Sequence, residues 1–228
     1  LELSSFQLES TSEFHPQIAI VLNIFQNHGE RYDQISDYAN AKFNIALKMN
    51  EDDTVIIPSD FPLINKWAQT LKTKVIQFDS RDPKVDFDLT QFKLPGLHNV
   101  VNLKFITVVG EILHLDKKLI QKSINEFKGV HHRIEWVDTA IGFKCYNDAK
   151  STNWDATIIA VKAMENIPGD LYLIIGGKKR GHGDSILPYL EQLNSKVKKF
   201  FLIGEMSDEI ENEIKGKAFA INAKTIDK

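Results

Sequence analysis

The chain is 228 residues long, room for one large or two ordinary domains, and its 28 Lys and Arg against 31 Asp and Glu leave a formal net charge of −3. That balance excludes the basic field a nucleic-acid binder needs, so no nucleic-acid partner is expected. Apolar runs such as Ile18 to Leu22 are far too short to insert in a membrane, no signal-peptide pattern is visible, and the single Cys145 excludes an internal disulfide framework and fits a reducing compartment.

Leu1 to Leu3 reads as the tail of a buried strand, with Ser4 to Glu9 as the polar turn beyond it. Glu2 at such a strand end could bind a metal, although a lone glutamate there is usually a solvated charge or an ion-pair partner. Ile18 to Leu22 is a continuous apolar run, as expected of a parallel strand covered on both faces. It runs out at Asn23 into a loop that carries Asn27, His28 and Tyr32, and in open α/β sheets ligands collect at the carboxyl ends of strands. A helix is expected from about Ile35 to Lys48, with Tyr38, Ala41 and Ile45 on one face and Lys42 at its flank. Thr54 to Pro58 reads as a strand, Phe61 to Leu71 as a helix and Lys74 to Phe78 as a strand, an alternation that predicts a parallel sheet.

Asp79 to Asp88 is a charged excursion. Pro95 to Asn99 turns the chain into a helix over about Val100 to Val109, in which Asn99 and Asn102 are i, i+3 neighbours. That spacing suits a purine edge or plain capping. Helix Lys117 to Glu126 ends at Phe127-Lys128-Gly129, and a domain boundary is expected at about Val130. His131-His132-Arg133 leads into a short strand, Ile134 to Val137, and Ala140 to Gly142 turns the chain back.

The stretch Phe143 to Asn153 is the centre of the chain's chemistry. An apolar-rich run holding Cys145, more apt for packing than for nucleophilic attack, ends in small polar and charged residues. A helical pattern then begins, with Ala156, Ile159, Ala160 and Ala163 at spacings of three and four. Ser151, Thr152 and Asn153 are the candidate caps, and a helix start favours phosphate or carboxylate. Asp148 adds an acceptor and Lys150 a donor. On these residues alone, an anion site and a capped turn with solvated charges are both open. Strand Leu171 to Ile175 follows and ends in Gly176-Gly177-Lys178-Lys179-Arg180-Gly181, a basic glycine-rich loop that suits an anion but lacks the P-loop pattern. Helix Ile186 to Leu193, strand Phe200 to Ile203 and helix Asp208 to Ile214 complete the pattern. The chain opens without Met and closes on Ala223 to Lys228 without a convincing element, so a piece of a longer protein is expected.

Tyr146-Asn147-Asp148-Ala149-Lys150-Ser151-Thr152-Asn153 resembles the hinge-side motif of the Mur ligases, in the variant typical of their D-glutamate-adding branch. The likeness runs along nearly the whole chain, with the motifs in the family's order. It implies an α/β fold with mostly parallel sheets: a partial central ATPase-type domain over residues 1–129 and a Rossmann-like C-terminal domain over residues 130–228. Glu2 falls where the family binds its catalytic magnesium, and Ser4 and Gln7 where it approaches the UDP-muramoyl substrate. Asn23 to Tyr32 resembles the histidine loop, which makes His28 the ligand of a second magnesium. Tyr38-Ala39-Asn40-Ala41-Lys42 resembles the segment with the carbamylated lysine, which makes Lys42 both catalytic and metal-binding. Asn99 and Asn102 match the adenine-contacting asparagines. His132-Arg133-Ile134-Glu135 matches the opening of the C-terminal domain, where the arginine reaches the ATP phosphates. In the hinge motif Asp148 would contact the ATP ribose, Lys150 the reacting phosphoryl and acyl groups, and Thr152 the D-glutamate α-carboxylate. His131 or His132 could assist amine deprotonation. The sequence singles out neither, and His132 is carried as the catalytic candidate.

The implied activity is ATP-dependent addition of D-glutamate to UDP-N-acetylmuramoyl-L-alanine through an acyl phosphate, in peptidoglycan precursor synthesis. Mg2+ would be the cofactor and ATP the co-substrate, in a monomer in the bacterial cytoplasm. Two positions depart from the pattern. Asn27 stands for the usual Asp before His28, and Lys179-Arg180 for an acidic residue and a D-glutamate-binding lysine. Arg180 can still hold that carboxylate, though arginine and lysine are not equivalent. The family's uridine-binding domain and P-loop would precede Leu1, and the end of its C-terminal domain would follow Lys228, so the 228-residue chain is expected to be inactive alone. Two rivals stay open: another Mur-type or folylpolyglutamate-type ligase, and a non-catalytic nucleotide-binding module of the same fold.

Overall fold

The computed structural model describes residues 1–25, 29, 31–139, 142–178 and 185–225. The chain divides into two compact units, Leu1–Lys128 and Gly129–Lys228.

The first unit is built on a parallel sheet of β1 (Ile18–Ile20), β2 (Thr54–Pro58) and β3 (Lys74–Phe78), with β2 in the middle. Every residue of β2 is buried. Its continuous apolar run has a physical reason: successive side chains point to opposite faces, and both faces are covered. Val55 and Ile57 join a cluster with Tyr38, Ala41 and Phe43 of α2 (Ile35–Phe43) and Ile64 of α3 (Pro62–Ala68). Ile56 points the other way, to Phe105 and Val108 of α4 (Leu97–Ile112). Aromatic pairs lock the layers: Phe43 stacks on Trp67 at 4.3 Å, and Phe78 meets Phe105 edge-on at 4.7 Å. Helix α5 (Lys117–Glu126) follows, capped by Asp116, whose side chain accepts the Lys118 N–H.

Three expectations need correction here. Ser4 to Glu9 is not a turn: Ser5–Glu9 is a short helix, α1, closed by a reciprocal capping box in which Ser4 and Gln7 satisfy each other's backbone N–H. The S-x-x-Q spacing that signals this box was legible, but no amphipathic run followed it. Among the described residues, Leu1 to Leu3 lie outside any strand. The expected helix to Lys48 gives way after Phe43 to a 3-10 turn over Asn44–Ala46, where the Asn44 side-chain amide donates to the Leu8 carbonyl at 3.3 Å.

The second unit opens with an antiparallel pair, β4 (Glu135–Val137) and β5 (Cys145–Asn147), in which Glu135 faces Asn147 and Val137 faces Cys145. Helix α6 (Trp154–Ala163) follows, then a parallel sheet of β6 (Leu171–Gly176), β7 (Val197–Ile203) and β8 (Ala220–Lys224), with β7 central. Helices α7 (Leu190–Asn194) and α8 (Ser207–Ile214) join α6 on one face of this sheet, around Phe200 and Leu202. On the other face Ile174 is 66% exposed and Ile221 45%. Strand β8 was not expected: Ala220-Ile221-Asn222-Ala223-Lys224 is a half-exposed edge strand, too polar to read as an apolar run.

Candidate active site

In the first unit, α2 presents Lys42 beside the chain's start. Tyr38, Ala39, Ala41 and Phe43 are buried, and Lys42 sits half-buried on the flank. Its Nζ donates to the Leu3 carbonyl at 3.4 Å and lies 5.7 Å from the centre of the Tyr38 ring. Burial pulls the Lys42 ammonium below the ordinary lysine value, and the nearby Glu2 carboxylate opposes that pull. Glu2 itself is exposed. The structure therefore brings Glu2 and Lys42 together. His28 lies outside the described residues. Just beyond, Arg31 donates Nε and Nη2 to Glu9 at 3.1 and 2.6 Å, and its guanidinium lies over the Phe6 ring at 5.6 Å.

Ser4 and Gln7 hold each other. The Gln7 N–H reaches Ser4 Oγ at 3.2 Å, and Gln7 Oε1 accepts from both the N–H and the hydroxyl of Ser4, at 2.8 and 2.9 Å. Helix α4 starts after Gly96, whose φ of 90° is a conformation that glycine allows. Asn99 is half-buried and donates Nδ2 to the Pro95 carbonyl at 2.7 Å, while Asn102 is exposed one turn on. Burial shifts the His98 imidazole toward its neutral form.

The resemblance implies magnesium beside Glu2 and Lys42. Among the described residues, no group of three His, Cys, Asp or Glu side chains could hold a metal ion. Magnesium needs no such cage, because it is usually held by one or two carboxylates together with substrate phosphates. Glu2 supplies one hard oxygen donor beside the half-buried amine of Lys42, and substrate phosphates would supply the others. The donor set fits this ion and would not fit a caged one.

In the second unit the hinge motif forms a strand–turn–helix junction that folds back on residues 131–135. Asn153 is the cap of α6: its side chain accepts the Ala156 N–H at 2.8 Å. Ser151 and Thr157 exchange a hydroxyl bond at 3.2 Å beneath it. Lys150 and Thr152 are exposed at the mouth of the junction. Asp148 is half-buried and takes the Ile134 N–H on Oδ1 at 3.0 Å. Burial raises its carboxyl above the usual range, while the Ile134 N–H, the Ser151 hydroxyl and the Arg133 charge draw it down. Arg133 is exposed.

Two residues of this turn, His132 and Ile134, have φ of 64° and 47°. For a β-branched residue that is a strained conformation, held only where the surroundings over-determine it. Here the surroundings do so. The His132 N–H donates to Glu135 Oε2 at 2.9 Å, and its carbonyl accepts the Lys150 N–H at 3.1 Å. The Arg133 N–H goes to the Val130 carbonyl at 3.1 Å. Glu135 and Asn147 were missed as site residues. Glu135 stood inside the quoted motif, but nothing in its type marked it as a backbone anchor.

The loop after β6 depends on glycine contacts. Gly176 has φ 139°, and a Cβ there would lie 1.8 Å from the Ile203 carbonyl oxygen. Gly177 donates to that same oxygen at 3.1 Å and accepts from Met206 at 3.1 Å. Lys178 is exposed, and Lys179 and Arg180 lie outside the described residues.

The Mur ligase middle domain family matches residues 1–120. A UDP-N-acetylmuramoylalanine--D-glutamate ligase of Koribacter versatilis is 34% identical over 100% of this chain and 53% of its own length. Its namesake from Fusobacterium nucleatum is 34% identical over 97% of the chain and 53% of its own length. The chain spans about half the length of the curated relatives it matches. Among solved structures, the MurF ligase of Thermotoga maritima in complex with ADP superposes with a TM-score of 0.73, at 16% identity, over 90% of this chain and 52% of that one. At that identity the superposition speaks for the α/β fold alone. The sequence relatives and the middle-domain match speak for descent, and the chain belongs to the Mur ligase family.

Proposed function

We propose that this chain carries part of the catalytic machinery of an ATP-dependent ligase that joins D-glutamate to UDP-N-acetylmuramoyl-L-alanine. The observation that carries the reading is the hinge junction. There an acceptor (Asp148), a donor (Lys150) and a hydroxyl (Thr152) gather at the capped start of α6, beside the exposed Arg133. Such a cluster suits a molecule with both phosphates and a carboxylate. The relatives named for D-glutamate ligation support the choice of amino acid.

In the reaction a substrate carboxylate oxygen attacks the γ-phosphorus of ATP, and ADP leaves. The free amine of D-glutamate then attacks the acyl carbon, phosphate leaves, and an amide remains. Lys150 would neutralise charge on the transferring phosphoryl and acyl oxygens, and Arg133 would hold the nucleotide phosphates. Asp148 would accept from the ribose through a lone pair left by the Ile134 N–H and the Ser151 hydroxyl. Asn99 and Asn102 would meet the adenine, Thr152 the α-carboxylate of D-glutamate and Arg180 a further carboxylate. Ser4 and Gln7 would face the muramoyl substrate through their capped turn.

Glu2, Lys42 and His28 would hold magnesium, with Lys42 carbamylated: CO2 adds to the neutral amine, a proton leaves, and an anionic oxygen ligand results. Magnesium bound there would withdraw charge from phosphoryl oxygens. The reading puts the protein in the bacterial cytoplasm as a monomer with two α/β domains, central and C-terminal, joined at about residue 130. The test is ATP-dependent incorporation of labelled D-glutamate by the protein at its relatives' full length, against L-glutamate and other amino acids. Incorporation of D-glutamate that Lys150→Ala abolishes is the expected result. Turnover of another amino acid in its place would overturn the reading.

A further inference from the structure

The side-chain amide of Asn147 has both ends committed. Its Oδ1 accepts the backbone N–H of Ala149 at 3.1 Å, which fixes which end points which way. Its Nδ2 therefore faces the His132 ring, 2.8 Å from Nδ1. An amide nitrogen can only donate, so Nδ1 must be the acceptor and the ring proton must sit on Nε2. The competing partner is Glu135, whose Oε2 is 3.7 Å from the same Nδ1, beyond hydrogen-bond reach. Both of its oxygens are also engaged, Oε1 by His131 Nδ1 at 2.6 Å and Oε2 by the His132 N–H at 2.9 Å. The left-handed backbone at His132 turns the ring toward Asn147, and the bonds to Glu135 and Lys150 hold that backbone.

We propose that Asn147 is a positioning residue that holds His132 in the Nε2–H tautomer, so that His132 acts as a hydrogen-bond donor to a phosphate or carboxylate oxygen and not as the base that deprotonates the amine. A base needs a free lone pair, and the lone pair of this ring is spent on Asn147. The His132 side chain is 55% exposed, and its Nε2–H is left to meet a ligand beside Arg133 and Lys150, where anionic oxygens are the fitting partners. The tautomer stands on the geometry alone, while the role in catalysis rests on the ligase reading above.

Two measurements separate these parts. Nitrogen-15 NMR of the His132 ring in this chain should show a protonated Nε2 and an unprotonated Nδ1. Asn147→Asp, which puts an acceptor where the donor was, should move the proton to Nδ1. A wild-type ring protonated on Nδ1, or a ring unchanged by Asn147→Asp, overturns the proposal whatever the enzyme turns over. In the full-length protein under saturating substrates, His132→Gln keeps a donor and cannot act as a base. It should retain activity within about tenfold of wild type, while His132→Ala falls on the order of a hundredfold. Equal losses in the two variants would assign His132 to base catalysis and overturn the donor role. Failure to incorporate D-glutamate, with the NMR result intact, would count against the ligase reading alone.

Discussion

The Nζ of Lys42 lies 3.4 Å from the carbonyl oxygen of Leu3, a residue 39 positions earlier in the chain. The bond fastens the opening segment to the last turn of α2, where burial withdraws the ammonium from water. That withdrawal lowers its proton affinity. Below the lowered value Lys42 is charged in both folded and unfolded chains, and the cost of burial is fully present. Between that value and the ordinary 10.5 the unfolded chain holds a proton that the folded chain has lost, so this group makes stability rise with pH. Trace acylation from about neutral pH to about pH 11 should give Lys42 a reaction midpoint below the ordinary lysine value. Lys42→Met should flatten the rise of stability across the same window. A midpoint at the ordinary value would show the amine to be fully solvated.

Ile57 is fully buried in β2, against the cluster that joins α2 and α3 to the sheet. Ile57→Ala should destabilise the first unit by about 2–5 kcal/mol, the range for truncating a core aliphatic side chain. Trp67 is the sole tryptophan of residues 1–128, and it stacks on Phe43 in that cluster. Excitation of a variant in which Trp136 and Trp154 are replaced by Phe therefore reports this unit's urea unfolding directly.

Gly176→Ala should cost more than about 1 kcal/mol, since alanine meets both an unfavourable φ and the Ile203 carbonyl. Gly216→Ala, with a positive φ but open space around its Cβ, is the control for the backbone part alone. Thermal melts of the two variants should differ, with Gly176→Ala the lower.

Asp148→Ala removes the acceptor for the Ile134 N–H, at a residue whose backbone is already strained. An orphaned donor of this kind costs about 1–3 kcal/mol. Amide hydrogen exchange at Ile134 should quicken markedly. Unchanged exchange would mean that Glu135 and Lys150 hold the turn without help.

Much of this architecture was legible in one dimension. Strands β2 and β3 were expected over the residues they occupy: β2 as a run covered on both faces, and β3 by Val75, Ile76 and Phe78 between polar neighbours. Helix α5 was expected over Lys117 to Glu126 and lies there, with Asp116 as its cap. The hinge motif carried the family resemblance, and with it most of the candidate residues. The edge strand β8 was hidden because its pairing with β7, and not its own composition, makes it a strand. The choice of Asn153 over Ser151 and Thr152 as the cap was likewise decided by backbone direction at the junction. Above all, the sequence offered His132 as a base without showing its ring environment. Only the folded turn brings Asn147 to its Nδ1, across 15 positions of chain, and a tautomer is set by such a neighbour and never by the residue's own identity.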